Sequence, residues 1–145
     1  MSGREERIRR DTQLASMGLT LLNYYGEEAL DALVDWNHAK IREKWMEISR
    51  SMERRGPEYL FCLFSKEAHE FEVIRKDEKA LEVKVTRCIH ADTFRGLNAS
   101  QVGQKLICSG DIAVTEGFNR KIKFRRPKLL MAGDDICHFI WELQE

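Results

Sequence analysis

The hydrophobic period of this chain changes partway along it, and that change limits the fold more than any other feature. In the first 53 residues apolar side chains recur at three-to-four spacing, as in Leu30, Leu33, Val34, Ile41, Trp45, Ile48 and Met52. That is the repeat of a helix with one buried stripe. Gly26 is expected to split the stretch into two helices, the first ending near Tyr25. The second would run about 27 residues, or ~40 Å at 1.5 Å per residue. Arg54-Arg55-Gly56-Pro57 carries the stop signals, with basic residues followed by Gly-Pro. Glu58 to Ser65 predicts a further short helix.

Beyond residue 70 the period drops to two. Phe71 and Val73, then Leu81, Val83 and Val85, alternate with charged residues around Arg75-Lys76-Asp77-Glu78, which predicts a hairpin. Residues 91–97 predict a short helix. Ser100 can cap a helix running to about Glu116, with Gly117 as its stop. Ile122 and Phe124, and after the Gly133-Asp134-Asp135 turn Cys137, Phe139, Trp141 and Leu143, form a second alternating pair. The expected fold is α+β: an N-terminal helical pair, then an antiparallel sheet of two hairpins with an intervening buried helix. Residues 1–56 form the helical segment and 57–145 the core, as a single folded unit.

Charge narrows the function classes. Lys plus Arg and Asp plus Glu number 24 each in 145 residues, a formal net charge of zero. No basic excess favours nucleic acid. No apolar run approaches the roughly 20 residues that span a bilayer. The charged N-terminus lacks a signal-peptide pattern, so a cytoplasmic, non-membrane protein is expected. A neutral protein with a long amphipathic helix is expected to pair with a second copy through that helix. Its four cysteines, Cys62, Cys88, Cys108 and Cys137, are too far apart for a CxxC motif and are read as thiols in a reducing compartment.

The helix over 101–116 carries the most chemistry. At 100° per residue, Gly103, Leu106, Gly110, Ala113 and Gly117 share one narrow stripe, which suits close approach to a sheet. Gln104, Cys108, Asp111 and Thr115 share another face, roughly opposite. A thiol, a carboxylate, an amide and a hydroxyl on one side make a polar pocket wall, with Asp111 as general base or as holder of a substrate amino group, and Cys108 as nucleophile or ligand. A solvated face with an incidental cysteine is the alternative. Three glycines at about 1 kcal/mol each argue for tight burial instead. Cys88 and His90 at a strand end offer a thiol with its base, or two metal ligands. Cys137 is read as structural and Cys62 as core; His38 and His69 show no partner spacing. A zinc site from Cys88, Cys108 and Cys137 with His90 or Asp111 lacks the close ligand pairs of structural zinc. No cofactor is therefore expected, with zinc as the alternative.

Four segments occur in a telling order: Arg87-Cys88-Ile89-His90, Ile107-Cys108-Ser109-Gly110-Asp111, Glu116-Gly117-Phe118-Asn119 and Gly133-Asp134-Asp135-Ile136-Cys137-His138-Phe139. Over residues 70–142 this set resembles the L-2-amino-thiazoline-4-carboxylic acid hydrolase family. The resemblance implies a hydrolase of cyclic amidine-like or cyclic amide C–N compounds that opens a small heterocycle at a C=N carbon. On it, Cys108 and Asp111 line the active site with Cys88 and His90 beside them, and Asn119 and Arg126 orient the substrate. Attack by a cysteine thiolate is preferred over water activated by Asp111. The chain departs from the pattern at Pro127, where threonine is usual, and at His138. The ending also resembles 4-vinyl reductase-type sensor domains, which bind small molecules without turnover and hold zinc on cysteines. Those domains carry another cysteine eight residues before the last, where this chain has Leu129.

Overall fold

The computed structural model describes residues 2–145. Helix α1, Gly3–Tyr25, starts at a capping box: the Ser2 hydroxyl accepts from the Glu5 amide while the Glu5 carboxylate reaches back to the Ser2 amide. Gly26, at φ +86°, separates it from α2, Glu27–Arg50. A positive φ costs a residue with a Cβ but not glycine, so the break falls where the sequence places it. The expected helix at Glu58 to Ser65 is a 3-10 turn over Pro57–Leu63. With three residues per turn, Pro57, Leu60 and Leu63 share its inner side and Cys62 does not. Cys62 is therefore exposed rather than core.

The sheet is antiparallel with order β1-β2-β4-β3. Strands β1, His69–Lys76, and β2, Ala80–Cys88, form the first hairpin, and β3, Ile122–Arg125, pairs with β4, Cys137–Leu143. Strand β4 joins the halves by pairing with β2, placing Leu81 opposite Trp141 and Val83 opposite Phe139. On this inner face Phe124, Phe139 and Trp141 stack, with Phe124 and Trp141 centroids 4.8 Å apart. On the outer face His138 pairs with Glu82 at 2.8 Å. The α+β class and its two hairpins agree with the sequence pattern.

Between the hairpins lie α3, Ile89–Gly96, and a long helix with an irregular centre: α4, Ser100–Gly103, a π turn over Gln104–Cys108, and α5, Gly110–Phe118. Two expectations change here. Ala99, not Ser100, occupies the N-cap, and no side chain caps the helix there. The helix also runs through Gly117 instead of stopping at it. The small-residue stripe meets helices rather than the sheet. A Cβ on Gly117 would lie 2.5 Å from the Arg42 carbonyl oxygen and 3.0 Å from the Trp45 Cβ, and one on Gly110 would lie 3.4 Å from the Ile41 side chain. Gly103 faces Met131 and Phe94. Gly110 and Gly117 of the stripe thus form the seam between α2 and α5.

That seam gives a test whose sign is informative. Alanine at 117 would gain about 1 kcal/mol from helix propensity. Overpacking against a backbone carbonyl, which cannot rotate aside, costs about 1–3 kcal/mol. Gly117→Ala is expected to lower the midpoint of thermal unfolding, measured by circular dichroism. A raised midpoint would mean that α2 and α5 pack less closely than the structure has them.

Candidate active site

The site begins with the π turn. The Ser109 amide donates to the Gln104 carbonyl at 2.9 Å, one residue further back than in an α-helix, and the Ile112 amide donates to Ser109 at 3.1 Å. The Cys108 carbonyl is thereby released from the helical ladder. Arg126, just past β3, takes it: Nη2 donates to the Cys108 oxygen at 3.0 Å and Nη1 to Asp111 Oδ2 at 2.8 Å. The guanidinium carbon lies 5.3 Å from the Phe124 ring centre and 5.2 Å from that of Phe139, so the aromatic rings of the sheet hold it from below. Interruptions of this kind often accompany functional sites because they re-aim side chains and free backbone groups.

Arg126 is 11% exposed and Asp111 25% exposed on their side chains. Burial raises the Asp111 carboxyl to about 6, against the opposing pull of Arg126 and, more weakly, of His90. A carboxyl near 6 is ionised at neutral pH yet basic enough to accept a proton. The thiols behave differently. Burial pushes Cys108 up to about 12, with Arg126 opposing and Asp111, Cys88 and Cys137 adding to the rise. Burial pushes Cys88 up to about 11, with the Ala91 and His90 amides opposing. Cys137 is raised by burial too, although the Leu130 amide donates to its sulfur at 3.1 Å. Three thiols within electrostatic reach of one another are therefore all neutral at pH 7.

Cys88 reaches this group because the strand alternation fails just before it: Thr86 and Arg87 are both exposed, and the chain turns into α3. His90 enters from α3, with its Nδ1 bonded to Asp11 of α1. Asp11 is fully buried, and its Oδ1 has no partner among the described residues. The sequence reading did not single out Asp11. Its signal was present: Asp11 lies on the same helical stripe as Ala15 and Gly18, the buried face of α1. Among the described residues no three His, Cys, Asp or Glu side chains are grouped so as to hold a metal ion.

The remaining expected residues scatter. Thr115 is buried and committed to the core: its hydroxyl donates to the Asp111 carbonyl at 2.8 Å and accepts from Trp141 Nε1 at 2.9 Å. Asn119 is at the other end of α5, bonded to the Arg55 carbonyl and the Lys121 amide. Neither joins the cluster; helix rotation through the π turn and the length of α5 account for both. Gln104 is half-buried at the start of the π turn and contributes its backbone carbonyl. His38, without partner spacing in sequence, bonds to the Ser109 hydroxyl at 2.8 Å across the α2–α5 seam. That hydroxyl already donates to the Lys105 carbonyl, so His38 is a donor and a structural strut.

Two titrating groups act on stability with opposite sign. His69, whose Nδ1 accepts from the Ser65 amide at 3.3 Å, is lowered to about 4, mainly by burial and then by His90. A lowered histidine leaves the unfolded chain binding more protons between about 6.5 and 4, so its contribution is lost as pH falls. Asp111, raised to about 6, binds more protons when folded between about 4 and 6, so its contribution grows as pH falls. Unfolding midpoints measured from pH 7 to pH 4 should therefore fall more steeply in Asp111→Asn and less steeply in His69→Gln than in the parent protein. Parallel curves for all three would rule out both shifts.

The sequence profile of a family described as L-2-amino-thiazoline-4-carboxylic acid hydrolase matches residues 13–141. Among curated proteins none matches the sequence. Among solved structures, the fold is similar to the crystal structure of the phenol-responsive sensory domain of the transcription activator PoxR with phenol. The TM-score is 0.55 at 14% sequence identity, over 92% of this chain and 74% of that one. No helix among the described residues is long and apolar enough to cross a membrane.

Proposed function

Since this chain belongs to the L-2-amino-thiazoline-4-carboxylic acid hydrolase family, we propose that it opens a small nitrogen-containing ring at a C=N carbon, with Asp111 as general base. The observation that carries this reading is the Asp111–Arg126 pair at 2.8 Å beside Cys108, with the carboxyl raised to about 6. Asp111 takes a proton from water as the water oxygen bonds to the ring carbon. The C=N electron pair moves to nitrogen, which receives that proton. Asp111 then takes the hydroxyl proton as the carbonyl forms and the ring bond to the heteroatom breaks, and passes it to the leaving heteroatom. Arg126 fixes the carboxylate, and its remaining N–H groups are free to bind a substrate carboxylate.

The thiolate route expected from the family resemblance has less support. A thiol near 12 supplies almost no nucleophile at neutral pH. Cys88, Cys108 and Cys137 instead shape a neutral wall that keeps the dielectric low around Asp111. Asp11 at Nδ1 favours the His90 tautomer with its lone pair on Nε2, which makes His90 a second proton acceptor. The test is turnover of L-2-amino-thiazoline-4-carboxylate, followed as ring-opened product. The wild type and Cys108→Ala are both expected to turn over, within about tenfold of each other. Absence of turnover on this substrate and on other cyclic amidines and amides would remove the hydrolase reading.

Binding without turnover is the second reading. It is favoured by the aromatic floor under Arg126 and by the fold shared with a phenol-responsive sensory domain. Calorimetric titration with phenol addresses it: saturable binding unaffected by Asp111→Asn, in a protein with no hydrolytic activity, would establish it.

A further inference from the structure

We infer that a cleft at the opposite end of α5 from Asp111 binds a small organic anion with an apolar body. The cleft holds about 790 Å³, within the range of small-molecule sites. Helices α2 and α5 run side by side, Ile41 meeting Gly110 and Trp45 meeting Gly117, so their last turns arrive here together. Met46, Phe118 and Leu143 supply apolar surface. Around it stand Arg50, Arg54, Arg55, Lys79, Arg120 and Lys121. None of these six is in an ion pair among the described residues.

The three carboxylates of the cleft do not neutralise this group. Glu116 is held by Arg42 at 3.3 Å. Glu58 folds against Gly56, where an added Cβ would lie 2.2 Å from its Oε2. Glu58 and Glu78 have no ion-pair partner among the described residues, and Glu58 Oε2 is buried without a hydrogen bond, so six cations face three carboxylates, a formal excess of three in a chain of net charge zero. Some basic character is expected where helix carbonyl ends converge. Two helix ends present only about half a charge each, which six cations exceed several-fold. The charge is gathered around an apolar concavity rather than spread along a face, which suits a carboxylate or phosphate on a short hydrocarbon better than a polyanion backbone.

This site is independent of the hydrolase reading, and its test does not use turnover. Decanoate is titrated into the full chain by calorimetry, with inorganic phosphate and decanol as head-only and body-only arms. Decanoate is expected to bind one to one with Kd below about 1 mM, and both arms to bind more weakly. Raising salt from about 0.05 to about 0.5 M should weaken decanoate. The charge reversal Arg54→Glu with Arg120→Glu should weaken it by at least about tenfold, while Arg9→Glu on exposed α1 leaves it unchanged. Circular dichroism checks that the double variant folds; if it does not, Lys79→Gln and the salt series carry the test. Absence of saturable binding, or affinity indifferent to both charge removal and salt, would overturn the proposal.

Discussion

Replacing Asp111 with asparagine is expected to lower ring-opening turnover by about 10²–10⁴-fold, the usual worth of a positioned general base. The amide keeps the shape of the carboxyl and can still accept one bond from Arg126, so the loss measures basicity rather than collapse of the site. The effect should fall on kcat more than on KM, because Asp111 accepts its proton only as water attacks. Arg126→Met separates orientation from basicity. Arg126 lowers the Asp111 carboxyl from where burial alone would hold it. Its removal should move the acid limb of the rate profile upward and weaken substrate binding together. If Asp111→Asn retains full turnover, the carboxylate is a structural partner of Arg126 and the chemistry belongs elsewhere.

Trp141→Ala is expected to be the most damaging single change to stability. Trp141 is fully buried, stacks on Phe124 and Phe139, meets Phe64 edge-on, and donates to the Thr115 hydroxyl at 2.9 Å. A large-to-small change at such a position costs about 3–5 kcal/mol. A domain of this size has about 5–15 kcal/mol in total, so about a fifth or more of its stability is at stake. Urea titration measures it. Trp141→Phe keeps most of the stacking and should recover most of the loss. A cost below about 1 kcal/mol for alanine would contradict the packing, since it would imply that the aromatic layer does not join sheet to α5.

The alternation of Leu81, Val83 and Val85, and of Cys137, Phe139 and Trp141, was readable because a strand's faces depend only on residue parity. Gly26 was readable because a positive φ selects its residue. The middle helix was less so. Its stripe of small residues was visible, but periodicity cannot say whether such a stripe meets a sheet or a helix. The π turn has no sequence signature of its own, and it decides that the Cys108 carbonyl leaves the ladder and that Thr115 turns into the core. Cys108, Asp111, Cys88 and His90 do converge, and Arg126 joins them, as a residue fifteen positions after Asp111 can only do once β3 has turned back along α5. Asp11 was missed because helical patterns are read for apolar residues, and a carboxylate on a buried stripe counts against the pattern rather than as a site. Spacing likewise places the Cys108 thiol but says nothing of its burial, which sets its acidity and weighs against the thiolate route.

The dependence of turnover on pH tests the central claim most directly. With Asp111 as base, the rate of ring opening should rise with a midpoint near 6 and stay flat to about pH 8, the midpoint moving upward in Arg126→Met and the limb disappearing in Asp111→Asn. A rate that keeps climbing through the alkaline range, where the buried thiols ionise, and is abolished by Cys108→Ala would contradict the account and assign the attack to sulfur.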